Sequence, residues 1–292
     1  MKKVVVTGAD GQLAKCLAEL TQSRPTAGIE FIYLNRQQLD ISDKNVVEAF
    51  FFSNQIDYLV NCAAYTAVDL AETEVEKAFQ VNADGVRNLA EECYENQVKF
   101  IHISTDYVFD GHAQQAMDEQ HTCNPLSVYG KSKLEGERLA LQYHAQSIIL
   151  RTAWVYSEYG KNFLNTMLRL FAEKDQLNIV HDQHGTPTSA HDLAMAIYLI
   201  IQAGQPLSGI YHMVNSGDTT WHGFAEEIKR QIGSHIQLNP ISTSQYPTPA
   251  HRPAYSVLSN EKLAQTLNWQ IPHWQTSLQH ILQKTGQYNP TA

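Results

Sequence analysis

Tyr129 and Lys133 are the two side chains in this sequence whose types and spacing best suit proton transfer. They lie four positions apart in the run Tyr129-Gly130-Lys131-Ser132-Lys133, so a helix would present both on one face. A free tyrosine has a pKa of about 10, and a nearby ammonium group lowers that pKa because it favours the phenolate. Such a tyrosine can protonate a carbonyl oxygen while a hydride arrives at the carbonyl carbon.

A hydroxyl group at a predicted strand end lies upstream of this pair. The apolar run at residues 100–104 predicts a buried strand, and Thr105 follows it directly. In parallel sheets, ligands bind at the carboxyl ends of the strands, so Thr105 could donate to the oxygen that Tyr129 protonates. A tyrosine and a lysine at this spacing often occur by chance, and the upstream hydroxyl makes the pattern more specific.

A glycine turn near the N-terminus predicts a dinucleotide cofactor. Residues 3–7 are apolar enough for a strand, and Gly8 and Gly11 follow at the start of a predicted helix. Gly8 permits the tight turn, while Gly11 lets the backbone and the free N–H groups of the helix approach a pyrophosphate. Ala14 occupies the third glycine position, where only close packing is required. Lys133 could hydrogen-bond the nicotinamide ribose of such a cofactor.

The end of the second predicted strand bears on the choice of dinucleotide. The run Leu34-Asn35-Arg36 lacks the acidic residue that usually meets an unphosphorylated ribose, and Arg36 could face a 2′-phosphate. The pattern favours NADPH and leaves NADH open; a solvated Arg36 is the alternative interpretation. Asp40 and Ile41 follow at a distance that suits contact with the adenine.

The elements that must position these residues alternate between strands and helices. Predicted strands cover residues 3–7, 31–34, 58–62, 100–104 and 147–151, and predicted helices cover 11–22, 44–53, 76–95 and 128–143. The strands are continuous apolar runs, which is typical of parallel strands buried on both faces. The succession predicts an α/β fold, a Rossmann-like doubly wound parallel sheet with a smaller C-terminal substrate-binding lobe.

The pattern becomes irregular after residue 151. We expect helices at 162–174, 190–202, 260–267 and 274–285, strands at 178–181 and 210–214, and a mostly loop segment at 239–253, where Pro, Ser and Thr are frequent. The expected organisation is an NAD(P)-binding domain at 1–155, completed by parts of 176–215. A substrate-binding lobe at 156–292 would be interleaved with it.

Composition excludes several classes of function. The 292 residues carry a formal net charge of -9, which argues against nucleic-acid binding. The four cysteines form no Cys-x-x-Cys pair, so we expect reduced thiols, no metal site and a cytoplasmic setting. We see no signal peptide and no apolar stretch long enough to span a bilayer, so we expect no membrane contact.

Taken together, the motifs resemble the extended short-chain dehydrogenase/reductase family nearly from end to end. The matching segments are residues 8–13, 60–69, 104–111, 125–133, 151–156, 162–163, 182–188 and 246–253. The most specific are the run STDYVF at 104–109 and the run DQHGTPT at 182–188. Ala14 departs from the usual third glycine of the family, and we expect little effect.

The resemblance implies an activity on a nucleotide-linked sugar. The segments are most similar to those of the family's reductases of dTDP-linked keto sugars. This implies NAD(P)H-dependent reduction of the C4 carbonyl of dTDP-4-dehydro-L-rhamnose to dTDP-L-rhamnose. That reaction is the last step of dTDP-rhamnose biosynthesis, which supplies O-antigens and other polysaccharides. The resemblance also leaves open a homodimer and a bridging Mg²⁺, for which the sequence places no site.

The resemblance also implies roles for individual residues. The catalytic residues would be Thr105, Tyr129 and Lys133. The cofactor would contact Gly8, Gly11, Gln12, Leu13, Arg36, Asp40, Ile41, Ala63, Ala64, Tyr65, Thr66, Tyr129 and Lys133. The substrate would contact Thr105, Asp106, Trp154, Asn162 and Arg252, with the guanidinium of Arg252 at the diphosphate. A Trp154 within the core and a solvated Arg252 are the alternative interpretations.

Two other functions compete with the reductase. A sugar-nucleotide epimerase or dehydratase on the same scaffold would keep its NAD⁺ tightly bound and recycle it. A non-catalytic NADP-binding regulatory subunit would bind cofactor without turnover. The complete set of Thr105, Tyr129 and Lys133 argues against the regulatory subunit, because an idle site has no physical need for all three.

Overall fold

The computed structural model describes residues 1–24, 28–203 and 207–290, and a parallel sheet forms its centre. The six strands of this sheet are β1 (Lys2–Thr7), β2 (Ile29–Leu34), β3 (Tyr58–Asn61), β4 (Lys99–Thr105), β5 (Ile148–Thr152) and β10 (Gly209–His212). Their spatial order is β2-β1-β3-β4-β5-β10, and every pair is parallel. The predicted Rossmann-like α/β fold is confirmed, and the order reverses direction between β1 and β3, where such sheets bind dinucleotides.

Helices cover both faces of this sheet and bury it. On one face α1 (Gln12–Ser23) packs against α8 (Ala190–Ala203). On the other face lie α2 (Lys44–Ser53), α5 (Gly85–Glu95) and α6 (Val128–Tyr143). Val4 and Val6 side chains belong to the first core and Val5 to the second, and all three are fully buried. Burial on both faces explains why the strand read as a continuous apolar run.

The single helix predicted for residues 76–95 is wrong in one respect, because the structure divides it. After α3 (Val68–Ala71) come α4 (Val75–Phe79), a π-helical turn (Gln80–Asp84) and then α5. Inside the wide turn, the Asn82 side chain accepts from the Tyr65 N–H at 2.8 Å and donates to the Ser132 hydroxyl at 3.0 Å. The turn thus connects the loop after β3 to α6, and π-turns of this kind are frequent at functional sites.

The C-terminal part has a core of its own beside the sheet. Its elements are β6 (Val155–Tyr156), α7 (Phe163–Glu173), β7 (Gln176–Val180), β8 (His184–Gly185), β9 (Thr188–Ser189), β11 (Thr219–Thr220), α9 (Trp221–Ile232), β12 (Gln237–Ile241), α10 (Glu261–Leu267) and α11 (Trp274–Lys284). The buried cluster centred on Tyr156, Phe224 and Trp274 joins α7, α9 and α11. The strand β10 returns the chain to the main sheet within the segment expected to complete it.

The stretch 239–253 is mostly loop, as expected; its regular parts are Asn239–Ile241, the end of strand β12, which pairs with β7, and the 3-10 turn Thr243–Gln245. The helix α9, in contrast, has no counterpart in the sequence analysis. Its signals were present, since Thr220 caps its N-terminus and Gly233 ends it in the left-handed conformation at φ 69°. None of the described helices is long and apolar enough to cross a membrane.

Candidate active site

The residues expected to form the site meet in one cavity at the carboxyl edge of the sheet. This cavity has a volume of about 1030 Å³. Its wall includes Gly8, Gly11, Gln12, Leu13, Arg36, Asp40, Ile41, Ala63, Ala64, Tyr65, Thr66, Thr105, Asp106, Tyr129, Lys133, Trp154, Asn162 and Arg252. These are all the residues predicted for the catalytic, cofactor and substrate contacts, and they come from segments spread over more than 240 positions of the chain.

The glycine turn has the shape that a dinucleotide requires. Gly8 has a φ of 70°, and an added Cβ would lie 2.7 Å from the backbone nitrogen of Ala63, so only glycine fits. Gly11 precedes α1 without any side-chain cap on the helix, which leaves N–H groups of the first turn available to an anion. This glycine turn with its uncapped helix N-terminus lies where the strand order reverses, and it suits a dinucleotide pyrophosphate.

A basic residue lines the part of the cavity that follows strand β2. Arg36 donates from Nε to Asp40 at 3.0 Å, while its side chain remains 68% exposed. Asp40 also accepts from the N–H and the hydroxyl of Ser42. Burial opposes ionisation of Asp40, but the hydrogen bonds from Ser42 and Arg36 lower its pKa below the usual value. Asp40 thus holds one edge of the guanidinium and leaves the other available to a ligand.

The three expected catalytic residues lie on adjacent elements. Thr105 ends β4, and Ser127 caps α6 by accepting from the Gly130 N–H at 3.1 Å. Thr105 lies close enough to Tyr129 to lower its pKa, and its hydroxyl donates to Asp106 Oδ1 at 3.0 Å. Lys133 lies one helical turn after Tyr129, is only 2% exposed, and donates from Nζ to the Ile103 carbonyl at 2.6 Å. The lysine is therefore anchored on the strand that carries Thr105.

The pKa values of this pair differ from the sequence-based expectation. Burial raises the pKa of Tyr129 to about 12, against the lowering effect of the neighbouring Thr105 side chain. Burial also lowers the pKa of Lys133 to about 8. Desolvation outweighs any stabilisation of a phenolate by the ammonium, so the expected lowering of the tyrosine pKa is absent in this structure. A tyrosine that keeps its proton at neutral pH can act as an acid in a reduction.

A buried ion pair connects β5 to α6, the helix that carries Tyr129 and Lys133. Glu137 on α6 and Arg151 on β5 are each 2% exposed and meet at 2.7 and 2.9 Å. Ser104, next to Thr105, donates to the same carboxylate at 2.5 Å. The carboxylate thus joins α6, β4 and β5, and so fixes Thr105 relative to Lys133.

An aromatic stack forms part of the cavity wall. The indoles of Trp154 and Trp221 lie parallel, with ring centroids 3.5 Å apart. Trp154 has a φ of 47°, which is an uncommon conformation for a bulky residue and marks local strain. A Cβ on Gly185 would lie 2.5 Å from the Trp154 ring. Trp154 is only partly buried, so its position is that of a cavity wall and not of the core.

Two polar residues predicted for the substrate side already have protein partners. Arg252 meets Asp69 through both ends of its guanidinium, at 3.0 and 2.8 Å. Asn162 caps α7 by accepting from Asn165 and donates to Gln12 at 3.1 Å. The Asn162 amide thus links the C-terminal core to the glycine turn, and its contact with substrate stays a prediction. Asp106 is 2% exposed, and burial raises its pKa to about 6.

Sequence reasoning missed several residues in or next to the cavity wall. Asp69 and Tyr107 belong to segments that carried the family resemblance, so a signal for them was present. Tyr107 packs edge-on against Tyr129, with centroids 5.5 Å apart. Trp221 had the signal of a helix start after Thr220. His102, which contacts Lys133 at 3.3 Å, lies within a buried strand and gave no pattern of its own.

One cluster of candidate metal ligands lies among the described residues, and its side chains do not suit Mg²⁺. Among them, one group of His, Cys, Asp or Glu could enclose an ion, namely Cys16, Glu158 and His191. Mg²⁺ takes oxygen ligands, and this group offers a single carboxylate. Glu158 already pairs with His191 at 2.9 Å and with the Lys284 ammonium. The group therefore forms an ion-pair cluster, and no step of the chemistry is assigned to a metal.

Fold and site together define a Rossmann-type oxidoreductase of the short-chain dehydrogenase/reductase class. Comparison with known proteins makes this definition narrower. Residues 1–287 match the family described as the RmlD substrate binding domain. The dTDP-4-dehydrorhamnose reductase of Sinorhizobium fredii is 42% identical over 289 residues, which cover 96% of each chain. The chain belongs to this family, that of the dTDP-4-dehydrorhamnose reductases.

Two further relatives bear on cofactor and pathway. The spore coat polysaccharide biosynthesis protein SpsK of Bacillus subtilis is 39% identical over 284 residues, 97% of this chain and 98% of the relative. The dTDP-4-dehydrorhamnose reductase of Bacillus anthracis, solved in complex with NADP, superposes with a TM-score of 0.92. It is 35% identical, and the superposition covers 97% of this chain and all of that one. A relative of the same fold thus binds NADP.

Proposed function

We propose that this protein reduces the C4 carbonyl of dTDP-4-dehydro-L-rhamnose with NADPH to give dTDP-L-rhamnose. The observation that carries the proposal is the presence of three features in one cavity: the uncapped glycine turn, the neighbouring side chains of Thr105 and Tyr129, and the guanidinium of Arg252. The first binds a dinucleotide, the second supplies a proton, and the third suits a diphosphate. Family membership supports the choice of sugar.

The residues of the chain hold the carbonyl and supply its proton, while bound NADPH supplies the hydride. Thr105 and Tyr129 both line the cavity, and both would hydrogen-bond the C4 oxygen, the Thr105 hydroxyl turning to it from Asp106 Oδ1. Tyr129 gives its proton to that oxygen as negative charge develops there. Lys133, anchored on the Ile103 carbonyl, keeps a positive charge beside the resulting phenolate at neutral pH.

The walls of the cavity would orient the two ligands. All of these contacts are proposed for residues that line the cavity: Gly8, Gly11, Gln12 and Leu13 would meet the pyrophosphate of the cofactor at α1, and Arg36 would meet the 2′-phosphate. The indole of Trp154 offers a flat apolar surface to the nucleotide-sugar. We propose a cytoplasmic enzyme, in keeping with free thiols at all four cysteines. A homodimer stays a prediction.

The test follows NADPH absorbance while upstream enzymes generate dTDP-4-dehydro-L-rhamnose in the cuvette. We expect stoichiometric NADPH oxidation and dTDP-L-rhamnose as the product. Tyr129→Phe should lower kcat by about 10²- to 10⁴-fold and leave NADPH binding intact. Tyr198→Phe, on α8 outside the cavity wall, is the matched control.

Each competing function gives a different result. An epimerase or dehydratase would retain NAD⁺ through purification and consume no added NADPH. A regulatory subunit would bind NADPH without oxidising it. Either outcome, or full activity of Tyr129→Phe, would remove the proposal.

A further inference from the structure

His102 lies at the centre of a buried chain of polar groups that ends at Lys133. Its Nδ1 is 3.1 Å from the Asn61 amide nitrogen, and its Nε2 is 3.3 Å from Lys133 Nζ. Asn61 and His102 are neighbours across β3 and β4, and both are fully buried. The proposed reaction uses Lys133 but assigns no task to the imidazole.

The orientation of the Asn61 amide follows from its other neighbours. The Ala63 N–H can only donate, and it points at Asn61 Oδ1 at 3.2 Å. The Thr7 hydroxyl donates to the same oxygen at 2.6 Å. The amide NH₂ must therefore face His102, so ring Nδ1 accepts a hydrogen bond and the ring proton lies on Nε2.

This tautomer has a consequence for Lys133. The Nε2–H of His102 points towards Lys133 Nζ, and an ammonium has no lone pair to accept it. An uncharged amine accepts from Nε2–H and still donates to the Ile103 carbonyl, which it contacts at 2.6 Å. The hydrogen bonds of the buried chain are therefore all satisfied only when Lys133 is uncharged.

Of the other titratable and charged groups around Lys133, some favour its charged form and others do not. Glu137 on α6 favours the ammonium, but Arg151 and Ser104 share its carboxylate. Cys62, after β3, keeps its proton because burial raises its pKa to about 12. Tyr129, on the same helix, also stays neutral near physiological pH. Burial lowers the pKa of His102 well below its usual value, so the imidazole carries no charge of its own.

We propose that His102 is a positioning residue that, held in one tautomer by Asn61, favours the uncharged form of Lys133. It thereby sets the upper pH limit of the reaction, because the ammonium beside Tyr129 is lost above the pKa of Lys133. The inference rests on the proposed function only for this last consequence. The tautomer and the lysine titration are properties of the free protein.

The first test is nuclear magnetic resonance on free protein labelled with ¹⁵N-histidine. The His102 ring signals are assigned by their loss in His102→Gln. We expect a neutral ring with the proton on Nε2 around neutral pH. A proton on Nδ1 would overturn the inference, because Nε2 would then accept from the ammonium and favour the charged lysine.

The second test follows the titration of Lys133 in protein labelled with ¹³C at lysine Cε, with Lys133→Arg for assignment. In His102→Gln the side-chain amide can turn its oxygen towards the ammonium, so we expect the midpoint to rise by roughly one pH unit. His144→Gln removes another buried imidazole, one that contacts the Val98 carbonyl, and should leave the midpoint unchanged. An unchanged midpoint in His102→Gln contradicts the inference.

The activity assay then separates this inference from the proposed function. If the protein reduces the sugar, the alkaline limb of kcat should move upwards in His102→Gln by the same interval as the lysine midpoint. If the wild-type protein shows no reductase activity, the proposed function is contradicted. The two resonance measurements still decide the role of His102.

Discussion

Arg252 and Asp69 face each other as a two-pronged ion pair although 183 positions separate them in the sequence. Asp69 belongs to α3, and Arg252 to the segment after the 3-10 turn Thr243–Gln245. Both side chains line the candidate active-site cavity. Hydrogen bonds from Arg252 lower the pKa of Asp69, so the carboxylate stays charged.

The geometry of Arg252 predicts its contribution to substrate binding. Arg252→Lys removes the planar fork but keeps a positive charge, so we expect the KM for the sugar nucleotide to rise about tenfold. The KM for NADPH should change less than twofold, because Arg36 and the glycine turn lie at the other end of the cavity. Steady-state kinetics with each substrate varied in turn would check this. A rise confined to NADPH would place the arginine at the cofactor.

Arg36 provides the corresponding prediction for the cofactor. Its side chain is 68% exposed and fixed to Asp40 at one edge only. Arg36→Ala should raise the KM for NADPH roughly fivefold or more and hardly affect the KM for NADH, because only the former carries a 2′-phosphate. The comparison requires both cofactors at saturating sugar nucleotide. Equal effects on the two would exclude Arg36 from the phosphate contact.

Much of the site could be predicted from the sequence because its chemistry is carried by local motifs. The glycine turn, the hydroxyl of Thr105 and the Tyr129–Lys133 spacing each depend on neighbours within one turn or one strand end. The sequence could not predict side-chain contacts between elements that are distant in the chain. The contact of His102 with Asn61 needs the register of two strands, and the Arg252–Asp69 pair needs the path of a long connection.

The sequence analysis also failed to predict one helical irregularity, because it too depends on contacts between residues that are distant in sequence. The π-helical turn at Gln80–Asp84 arises because Asn82 bridges Tyr65 and Ser132, which are distant in sequence. Helix periodicity carries no sign of that bridge. The helix α9, in contrast, was readable from Thr220 and Gly233, so its absence from the sequence analysis is an oversight and not a physical limit.

The buried pair of Glu137 and Arg151 predicts a large effect on stability. Glu137→Gln leaves the guanidinium of Arg151 buried without its counter-charge, which should lower the free energy of unfolding by about 3–5 kcal/mol. Unfolding in urea would measure the loss. Glu173→Gln breaks an exposed pair with Arg169 and should cost at most about 1 kcal/mol.

A second variant tests whether the loss comes from the unpaired charge. Glu137→Gln combined with Arg151→Met removes both charges, so much of the lost stability should return. Equal losses in the single and double variants would show that Glu137 acts through its bond to Ser104 and not through the ion pair.

The ion-pair cluster at Glu158 predicts how stability depends on pH. Burial opposes ionisation of Glu158, but hydrogen bonds from His191 and Lys284 outweigh it and lower the pKa from 4.5 to about 2. Because the folded-state pKa lies below the unfolded value, the stabilisation is complete above pH 4.5 and is lost as the pH falls towards 2.

Glu158→Gln should therefore lower the free energy of unfolding at neutral pH by about 2–3 kcal/mol. The wild type and the variant should converge in acid, as measured by urea unfolding across the acidic range. Glu135→Gln, whose partner Arg138 is 67% exposed, should run parallel to the wild type throughout. A constant difference between wild type and Glu158→Gln at every pH would show that the carboxylate contributes by packing and not by its charge.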